Sequence, residues 1–267
     1  MPPTENTITA APRTITGIRA ASGAQTPGRQ TFFGSTDMVF PHLATGGGWA
    51  TTLVLVNMSA TAVTFTQGFY DTNGQPLTLS LQSVPSGDQL TTSSIQGTIP
   101  PGASFNIKVL DQGTGLKTGW SVIAYDSTNA RLGGYAIFRQ SITNTPDFEA
   151  LVPLSAYDDY VFMMPYDNMN GFVTSMALVN PATNTSNQVF VTILDIDGNN
   201  IGTDTISLAP GQQLAFAIPD RFAVTQGKIG SILFECSTNR LAGLGFRFNP
   251  GHAFATIPIM NWAGLLD

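Results

Sequence analysis

The side chains best suited to nucleophilic chemistry are few: His42, His252 and the single cysteine Cys236. Neither histidine has a Gly-x-Ser-x-Gly elbow nearby, and both lie in turn-like sequence, after a proline and a glycine. Cys236 ends the apolar run 231–235, where a free cysteine usually packs as a small hydrophobe. The sequence therefore predicts a protein that is not an enzyme, with no catalytic residue.

A second candidate chemistry is calcium binding. Asp195 and Asp197 alternate before Gly198, as oxygen ligands do at the start of a calcium loop, but no glutamate follows where such a loop needs one. Asp-Gly and Asn-Gly pairs also supply the positive φ angles of tight hairpin turns. We expect a turn here and over residues 167–171, with calcium at Asp195 and Asp197 left open, and we predict no metal site and no cofactor.

Carboxylates could also cleave a glycosidic bond, which needs two of them facing across a cleft. Glu149, Glu235, Asp158 and Asp159 are available, but nothing in their spacing selects a pair. A hydrolase is therefore the weakest of the functional hypotheses.

Aromatic rings offer sugar binding as an alternative, because exposed rings stack on pyranose faces. The candidates are Trp49, Trp120, Trp262, Tyr157, Tyr160 and Tyr166. Trp49 and Trp120 stand beside apolar runs, which favours core positions. The three tyrosines lie near the middle of the chain, where a groove between two halves could form.

The composition excludes several classes of protein. Only 10% of residues are charged, against roughly 25% in ordinary domains, and the net charge is −6. An acidic chain with scattered basic residues argues against nucleic-acid binding, and an apolar fraction of 42% argues against disorder. No apolar run reaches the roughly 20 residues of a membrane-spanning helix. The abundance of Thr, Ser and Asn instead predicts an extracellular or cell-surface location.

The chain contains two copies of one segment. Residues 48–57 (GWATTLVLVN) match residues 171–180 (GFVTSMALVN). Further landmarks follow in the same order: 69–74 with 193–198, 101–102 with 210–211, 127–129 with 237–239, Phe138-Arg139 with Phe246-Arg247, and 152–154 with 257–259. A tandem duplication explains this order. The first copy is longer by an insertion in residues 83–97, whose Ser, Gly, Gln and Thr predict a long loop.

Apolar residues recur with a period of two, as in residues 63–66 and 77–81, which indicates half-buried strands. Short strand patterns separated by turns predict a sandwich or barrel. We expect an all-β chain of two tandem, duplicated antiparallel β-sandwiches of the Ig-like kind. The predicted boundaries are 1–36 for an N-terminal tail or pairing strand, 37–155 for the first repeat and 156–267 for the second.

Two local features accompany this pattern. Residues 14–18 alternate like a strand that could pair with a sheet edge of its own molecule or of a neighbour. A short helical turn is expected around residues 219–222.

The two copies resemble an uncharacterised β-rich module of exported proteins from Acidobacteria-like bacteria. The residues that carry the resemblance are Phe40-Pro41, 46–57 and 118–120 in the first copy, and 165–168, 171–172, 177–180, 218–222 and 245–248 in the second. The resemblance covers about Phe40 to Met260 and implies an extracellular accessory or surface module. It brings no catalytic residues.

The sequence therefore favours a non-enzymatic, exported structural, adhesive or assembly module. Its partners would be other proteins or further copies of itself at the cell surface. The alternative is a carbohydrate-binding module for extracellular polysaccharide.

Overall fold

The computed structural model describes residues 19–20, 38–84, 86–110, 113, 115–126, 128–143, 145–156, 160–238 and 241–261. Its strands are β1 (Arg19–Ala20), β2 (Met38–Thr45), β3 (Trp49–Asn57), β4 (Val63–Asp71), β5 (Leu79–Val84), β6 (Gln89–Thr92), β7 (Ser94–Ile99), β8 (Ser104–Val109), β9 (Lys117–Tyr125), β10 (Leu132–Gln140), β11 (Phe148–Pro153), β12 (Ser155–Ala156), β13 (Val161–Asp167), β14 (Val173–Val179), β15 (Asn187–Asp195), β16 (Asn200–Leu208), β17 (Gln213–Ala217), β18 (Ile229–Cys236), β19 (Ala242–Phe248), β20 (Phe254–Ile257) and β21 (Met260–Asn261).

Helix is nearly absent. A four-residue helix α1 (Ile218–Arg221) and a 3₁₀ turn (Ala223–Thr225) follow β17, in the region where a helical turn was expected. Within the described ranges, no helix has the length and apolarity to cross a membrane. The prediction of an all-β chain is confirmed.

Strand formation follows the alternating sequence. In β4, Val63 and Phe65 are buried while Thr64 between them faces solvent. Thr64 hydrogen-bonds Thr98 on the neighbouring strand β7 through their hydroxyls, at 3.0 Å. Cross-strand Thr pairs of this kind hold the polar face of a sheet together.

The strands form four antiparallel sheets, none of which closes into a barrel. Their strand orders are β1-β7-β4-β9-β2-β12 (sheet 1), β11-β10-β3-β8-β5-β6 (sheet 2), β16-β15-β18-β13-β21 (sheet 3) and β17-β14-β19-β20 (sheet 4). Sheets 1 and 2 enclose one apolar core, and sheets 3 and 4 enclose another. We call them the N-terminal and the C-terminal sheet pair.

The two sheet pairs share one strand order. Read across the sheets, β7-β4-β9-β2-β12 corresponds to β16-β15-β18-β13-β21, and β8-β3-β10-β11 corresponds to β17-β14-β19-β20. The additions in the N-terminal pair are β1 and the hairpin β5–β6. The loop predicted for residues 83–97 is therefore wrong, because most of this Ser- and Thr-rich stretch pairs into β6 and β7.

Equivalent positions make equivalent hydrogen bonds. The fully buried Asn57 ends β3 and donates its side-chain N–H to the carbonyl of Ile99 at 2.9 Å. Its counterpart Asn180, also fully buried, follows β14 and donates to the carbonyl of Leu208 at 3.2 Å. A buried amide must find such partners, which explains why the apolar run of each copy stops at asparagine.

The sequence match of Phe138-Arg139 with Phe246-Arg247 is shifted by one residue in the strand pairing of the structure. Thr51 pairs with Phe138, whereas the equivalent Thr174 pairs with Arg247. The structural counterpart of Phe138 is therefore Arg247 and not Phe246. A shift of one residue along a strand moves a side chain to the opposite face of the sheet.

At the N-terminus, residues 14–18 lie outside the described residues. The short strand β1 that follows pairs antiparallel with β7, with Arg19 opposite Gln96. A sequence just beyond the predicted pairing strand thus extends a sheet of its own molecule.

Candidate functional site

The most extensive candidate site is the contact between the two sheet pairs. The face of sheet 4 that points away from its own core covers the open side of the N-terminal pair, where Leu244 and Phe246 join the first apolar core. Beside them Val179 packs with Val39 and Trp120 in a separate buried cluster. Sheet 4 is therefore apolar on both faces, as a sheet buried between two cores must be.

Aromatic rings contact each other across this boundary. Phe246 meets Phe138 edge to face, with ring centroids 5.6 Å apart. Phe254 lies 5.2 Å from Trp49. Both distances fall in the range in which aromatic pairs attract beyond their area burial.

Buried hydrogen bonds fix how the two sheet pairs are oriented. The side-chain amide nitrogen of Gln213 donates to the carbonyls of Pro41 at 2.6 Å and Gly119 at 2.8 Å. The indole N–H of Trp120 donates to the carbonyl of Gly211 at 3.0 Å. Because these groups are buried, sliding the sheet pairs apart would leave unpaired polar groups.

A turn of the first copy docks on a turn of the second. In the turn after β4, Asp71 accepts hydrogen bonds from the N–H groups two and four residues later. Gly74, at φ 77°, lies so close to Gly211 that an added Cβ would sit 2.8 Å from its carbonyl oxygen. The N–H of Gln213 donates to the carbonyl of Thr72 at 3.0 Å. Glycine is needed here both for its φ angle and for the close approach.

A cavity of about 230 Å³ remains where the sheet pairs meet. The rings that line it are His42, Trp49, Phe138, Phe216, Phe246 and Phe248. This lining is mainly apolar. Of the six rings, His42 is the one that can take up a proton.

His42 is held neutral. Burial lowers its pKa from 6.5 to about 4, and its ring stacks on Phe138 with centroids 5.7 Å apart. The Nδ1 atom lies 3.1 Å from the amide nitrogen of Gln213, whose orientation is assigned from the two carbonyls that it contacts. Since an N–H cannot point at another N–H, the ring proton belongs on Nε2.

The corresponding side of the C-terminal sheet pair is built differently. There Arg247 pairs with Asp167 at 2.6 Å, and its guanidinium lies 3.6 Å from the ring centre of Phe172. Burial alone would raise the pKa of Asp167, but hydrogen bonds from Arg247 and the N–H of Met169, with the charge of the guanidinium, bring it below its ordinary value. A cation and a carboxylate thus cover this side.

One hydrogen-bond pattern confirms that these positions correspond. Thr51 donates its hydroxyl to the carbonyl of Ala44 at 2.7 Å, and Thr174 donates to that of Asp167 at 3.2 Å. Ala44 therefore corresponds to Asp167, as Phe138 does to Arg247. The apolar pair of the first copy is a salt bridge in the second.

The segment considered for calcium forms a turn like the one at Asp71. Asp195 accepts hydrogen bonds from the N–H groups of Asp197 and Asn199, and the Asn199 side chain reaches both of its carboxylate oxygens. Hydrogen bonds from Asn199 are the main cause that lowers the pKa of Asp195. In the part of the chain that the structure describes, no group of three or more His, Cys, Asp or Glu side chains could hold a metal ion.

Two of the aromatic candidates for sugar binding belong to the interior. Trp120 is buried and stacks on Tyr70, as the core prediction requires. Tyr166 is 1% exposed, and its hydroxyl donates to the carbonyl of Leu194 at 3.2 Å, so a ligand-stacking role for Tyr166 is wrong. Its place shortly after the apolar residues 161–164 of β13 was the signal for burial.

The other rings differ in exposure. Trp49 is half-buried against Phe254, and Tyr160 is 47% exposed. Tyr157 and Trp262 lie outside the described residues.

Most of the candidate nucleophiles and acids are scattered over the fold. Glu235 and Cys236 are neighbours at the end of β18, whereas His252 is exposed in the turn before β20 and Glu149 is exposed on β11. Asp158 and Asp159 lie outside the described residues. Sequence reasoning missed Gln213, because a single polar residue at the start of a strand carries no pattern that predicts a distant partner.

The chain matches no model of a protein family and none of the curated proteins. What the protein does must therefore follow from the geometry of the contact between its sheet pairs.

Proposed function

We propose that the chain is a non-enzymatic structural or assembly module of the cell surface. Two tandem Ig-like β-sandwiches, residues 37–155 and 156–267, act in it as one rigid body. The observation that carries the proposal is the buried contact in which Phe246 completes the neighbouring core and Gln213 binds two of its carbonyls.

Rigidity follows from the character of this contact. Domains of one chain move relative to each other unless their interface is large and apolar. Here the interface is apolar, is fixed by buried hydrogen bonds at Gln213 and Trp120, and includes a docked turn. A unit of this kind suits a load-bearing or spacing role better than a hinged one.

The surface chemistry supports contacts with proteins outside the cell. Only 10% of residues are charged, so docking another protein on this surface requires few charges to lose water. His42, Asp167 and Asp195, whose pKa values depart from ordinary, all take part in packing or turns of the fold. These are structural roles.

Carbohydrate binding is the second candidate and rests on Tyr160, the exposed ring among the described candidates. It is the weaker one, because Trp120 and Tyr166 are buried and cannot present a stacking platform.

The test compares location and ligand. An antibody against the chain should label intact cells, and protease added outside should remove the label; labelling that needs lysed cells would contradict the proposal. Native gels cast with soluble polysaccharides should not slow the protein. Retardation that Tyr160→Ala abolishes would favour the alternative, and turnover of a glycan would overturn both.

A further inference from the structure

The docked turn of the first copy has an undocked counterpart in the second. The turn at Thr72 and Gly74 contacts Gly211, whereas the equivalent turn at Ile196 and Gly198 makes no comparable contact among the residues that the structure describes. Ile196 is 72% exposed, and a Cβ on Gly198 would meet none of their atoms within 4 Å. Packing within the described part of the chain gives no reason for an isoleucine at the tip of this turn.

The surface around this turn repeats the docking surface of the first copy. On the outer face of sheet 1, Tyr70 and Val122 pack against the buried cluster at the contact. The register of the strands makes Leu194 and Leu233 their counterparts on sheet 3. These side chains are only partly buried, so this apolar surface stays partly open among the described residues.

The receiving surface also has a counterpart. The docked turn meets Gly211, in the turn before β17, and Gln213, the first residue of β17 in sheet 4. The equivalent residues beside sheet 2 are Gly102, in the turn before β8, and Ser104, the first residue of β8, and both are exposed. Val56 on the adjoining strand β3 faces the same way and is half-buried.

Charges at the flank of the two free surfaces are complementary. Within the chain, Phe254 packs on Trp49 and Phe248 shares a cavity with Ala44. On sheet 2, the strand register makes Glu149 the counterpart of Phe254 and Arg139 the counterpart of Phe248. On the C-terminal side, Phe172 corresponds to Trp49 and Asp167 to Ala44, and Arg247 covers Phe172. Docking would bring Glu149 towards Arg247 and Arg139 towards Asp167, each pair of opposite sign.

We propose that a second copy of this chain docks head to tail, repeating between molecules the contact that joins the two sheet pairs. The Ile196 turn and the outer face of sheet 3 of one molecule bind the outer face of sheet 2 of the next, around Ser104. This inference rests on the proposed function and names its partner. Because the two surfaces differ, the contact does not close on itself and builds open chains of molecules.

Sedimentation analysis of the full chain, up to millimolar concentration, tests the proposal with two variants. Ile196→Asp damages one surface, and Ser104→Glu sets a charge opposite the acidic Asp195 turn on the other. Both positions are exposed, so thermal unfolding should show both variants folded. Phe190→Asp is the control. Phe190 is exposed on the same face of sheet 3, but it pairs with Glu235, outside the two residue pairs that contain Leu194 and Leu233.

The wild type and Phe190→Asp should associate into a ladder of species, and each surface variant should weaken association at least about tenfold. Mixing the two variants should restore one productive contact and yield dimers but nothing larger. Added salt should weaken the association. A wild type that stays monomeric, or a mixture that forms no dimer, overturns the self-association, whereas the location of the protein on cells tests the proposed function separately.

Discussion

The open sides of the two sheet pairs are covered in different ways, one by apolar rings of the other pair and one by a salt bridge of its own. In the N-terminal pair, Ala44 and Phe138 leave an apolar opening that Phe246 of the other pair fills. In the C-terminal pair, the corresponding Asp167 and Arg247 form a salt bridge that closes the opening locally. The first core is therefore completed by residues of the neighbouring pair, whereas the second core is enclosed by its own two sheets.

This difference sets what each open side would present to solvent. An apolar opening must be covered by another apolar surface, whereas a polar one can stay in contact with water. A duplicated chain that kept Ala and Phe in both copies would present an apolar opening to solvent. The salt bridge at Asp167 removes that opening.

The largest effect should come from Phe246→Ala, which removes the ring that fills the opening. Truncating a buried phenylalanine costs about 3–5 kcal/mol of unfolding free energy, measured by urea denaturation. Phe190→Ala is the control, since Phe190 is 51% exposed. Equal losses for the two variants would mean that Phe246 does not complete the first core.

A matched pair of glycines sharpens the comparison of the two turns. Gly74 and Gly198 have φ angles of 77° and 82°, so alanine strains both by about 1 kcal/mol. Only at Gly74 does the new Cβ meet Gly211, at 2.8 Å from its oxygen. Gly74→Ala should therefore lose about 2–3 kcal/mol in the same urea measurement. If Gly198→Ala cost as much, the turn of the first copy would not be docked.

Acid should weaken the contact through His42. Burial lowers its pKa to about 4, so below an ordinary pKa of 6.5 the unfolded chain binds a proton that the folded chain does not. The stability held at pH 7 is lost as the pH falls, by about 2 kcal/mol at pH 5. His42→Leu should remove this share of the pH dependence of urea unfolding.

His252→Asn serves as its control, because His252 is exposed and asparagine tolerates the φ angle of 69° found there. Carboxylates with lowered pKa, such as Asp167, also lose stability in acid, and the difference between variant and wild type cancels their share. An unchanged pH slope in His42→Leu would contradict a His42 that stays neutral in the folded chain.

The smallest effect belongs to the salt bridge itself. Its side chains are 39% and 22% exposed, so solvent screens the pair, and Asp167→Ala should cost no more than about 1 kcal/mol, less in high salt. Asp204→Ala removes the carboxylate that pairs with Arg221. Because Asp204 is more exposed than Asp167, this change should cost less unfolding free energy still. A loss of several kcal/mol at Asp167, independent of salt, would show that the C-terminal pair is not closed by a screened surface charge pair.

Much of the fold was predictable from local patterns. Three features depend on only a few neighbouring residues or on the repeated strand order, and the sequence therefore reveals them. They are the alternation in residues 63–66, the turns at Asp71 and Asp195, and the asparagines that end the apolar runs. Burial of Tyr166 could have been predicted from the apolar residues 161–164 that precede it on the same strand.

The contact between the sheet pairs could not be predicted from the sequence. It depends on Gln213 reaching carbonyls more than ninety residues away. It also depends on strand register. The sequence motif aligns Phe138 with Phe246, but the strand pairing is shifted by one residue and makes Arg247 the counterpart of Phe138. Strand register and long-range packing determine these contacts, and neither can be predicted from a local sequence pattern.

The two halves expressed separately test the central claim, that the first sheet pair needs the second but not the reverse. Thermal unfolding of residues 156–267 should show a cooperative transition, because their core is enclosed by sheets 3 and 4 and their open side is closed by Asp167 and Arg247. Residues 1–155 should show none. A cooperative transition in residues 1–155 alone, at the temperature at which the intact chain unfolds, would contradict the account.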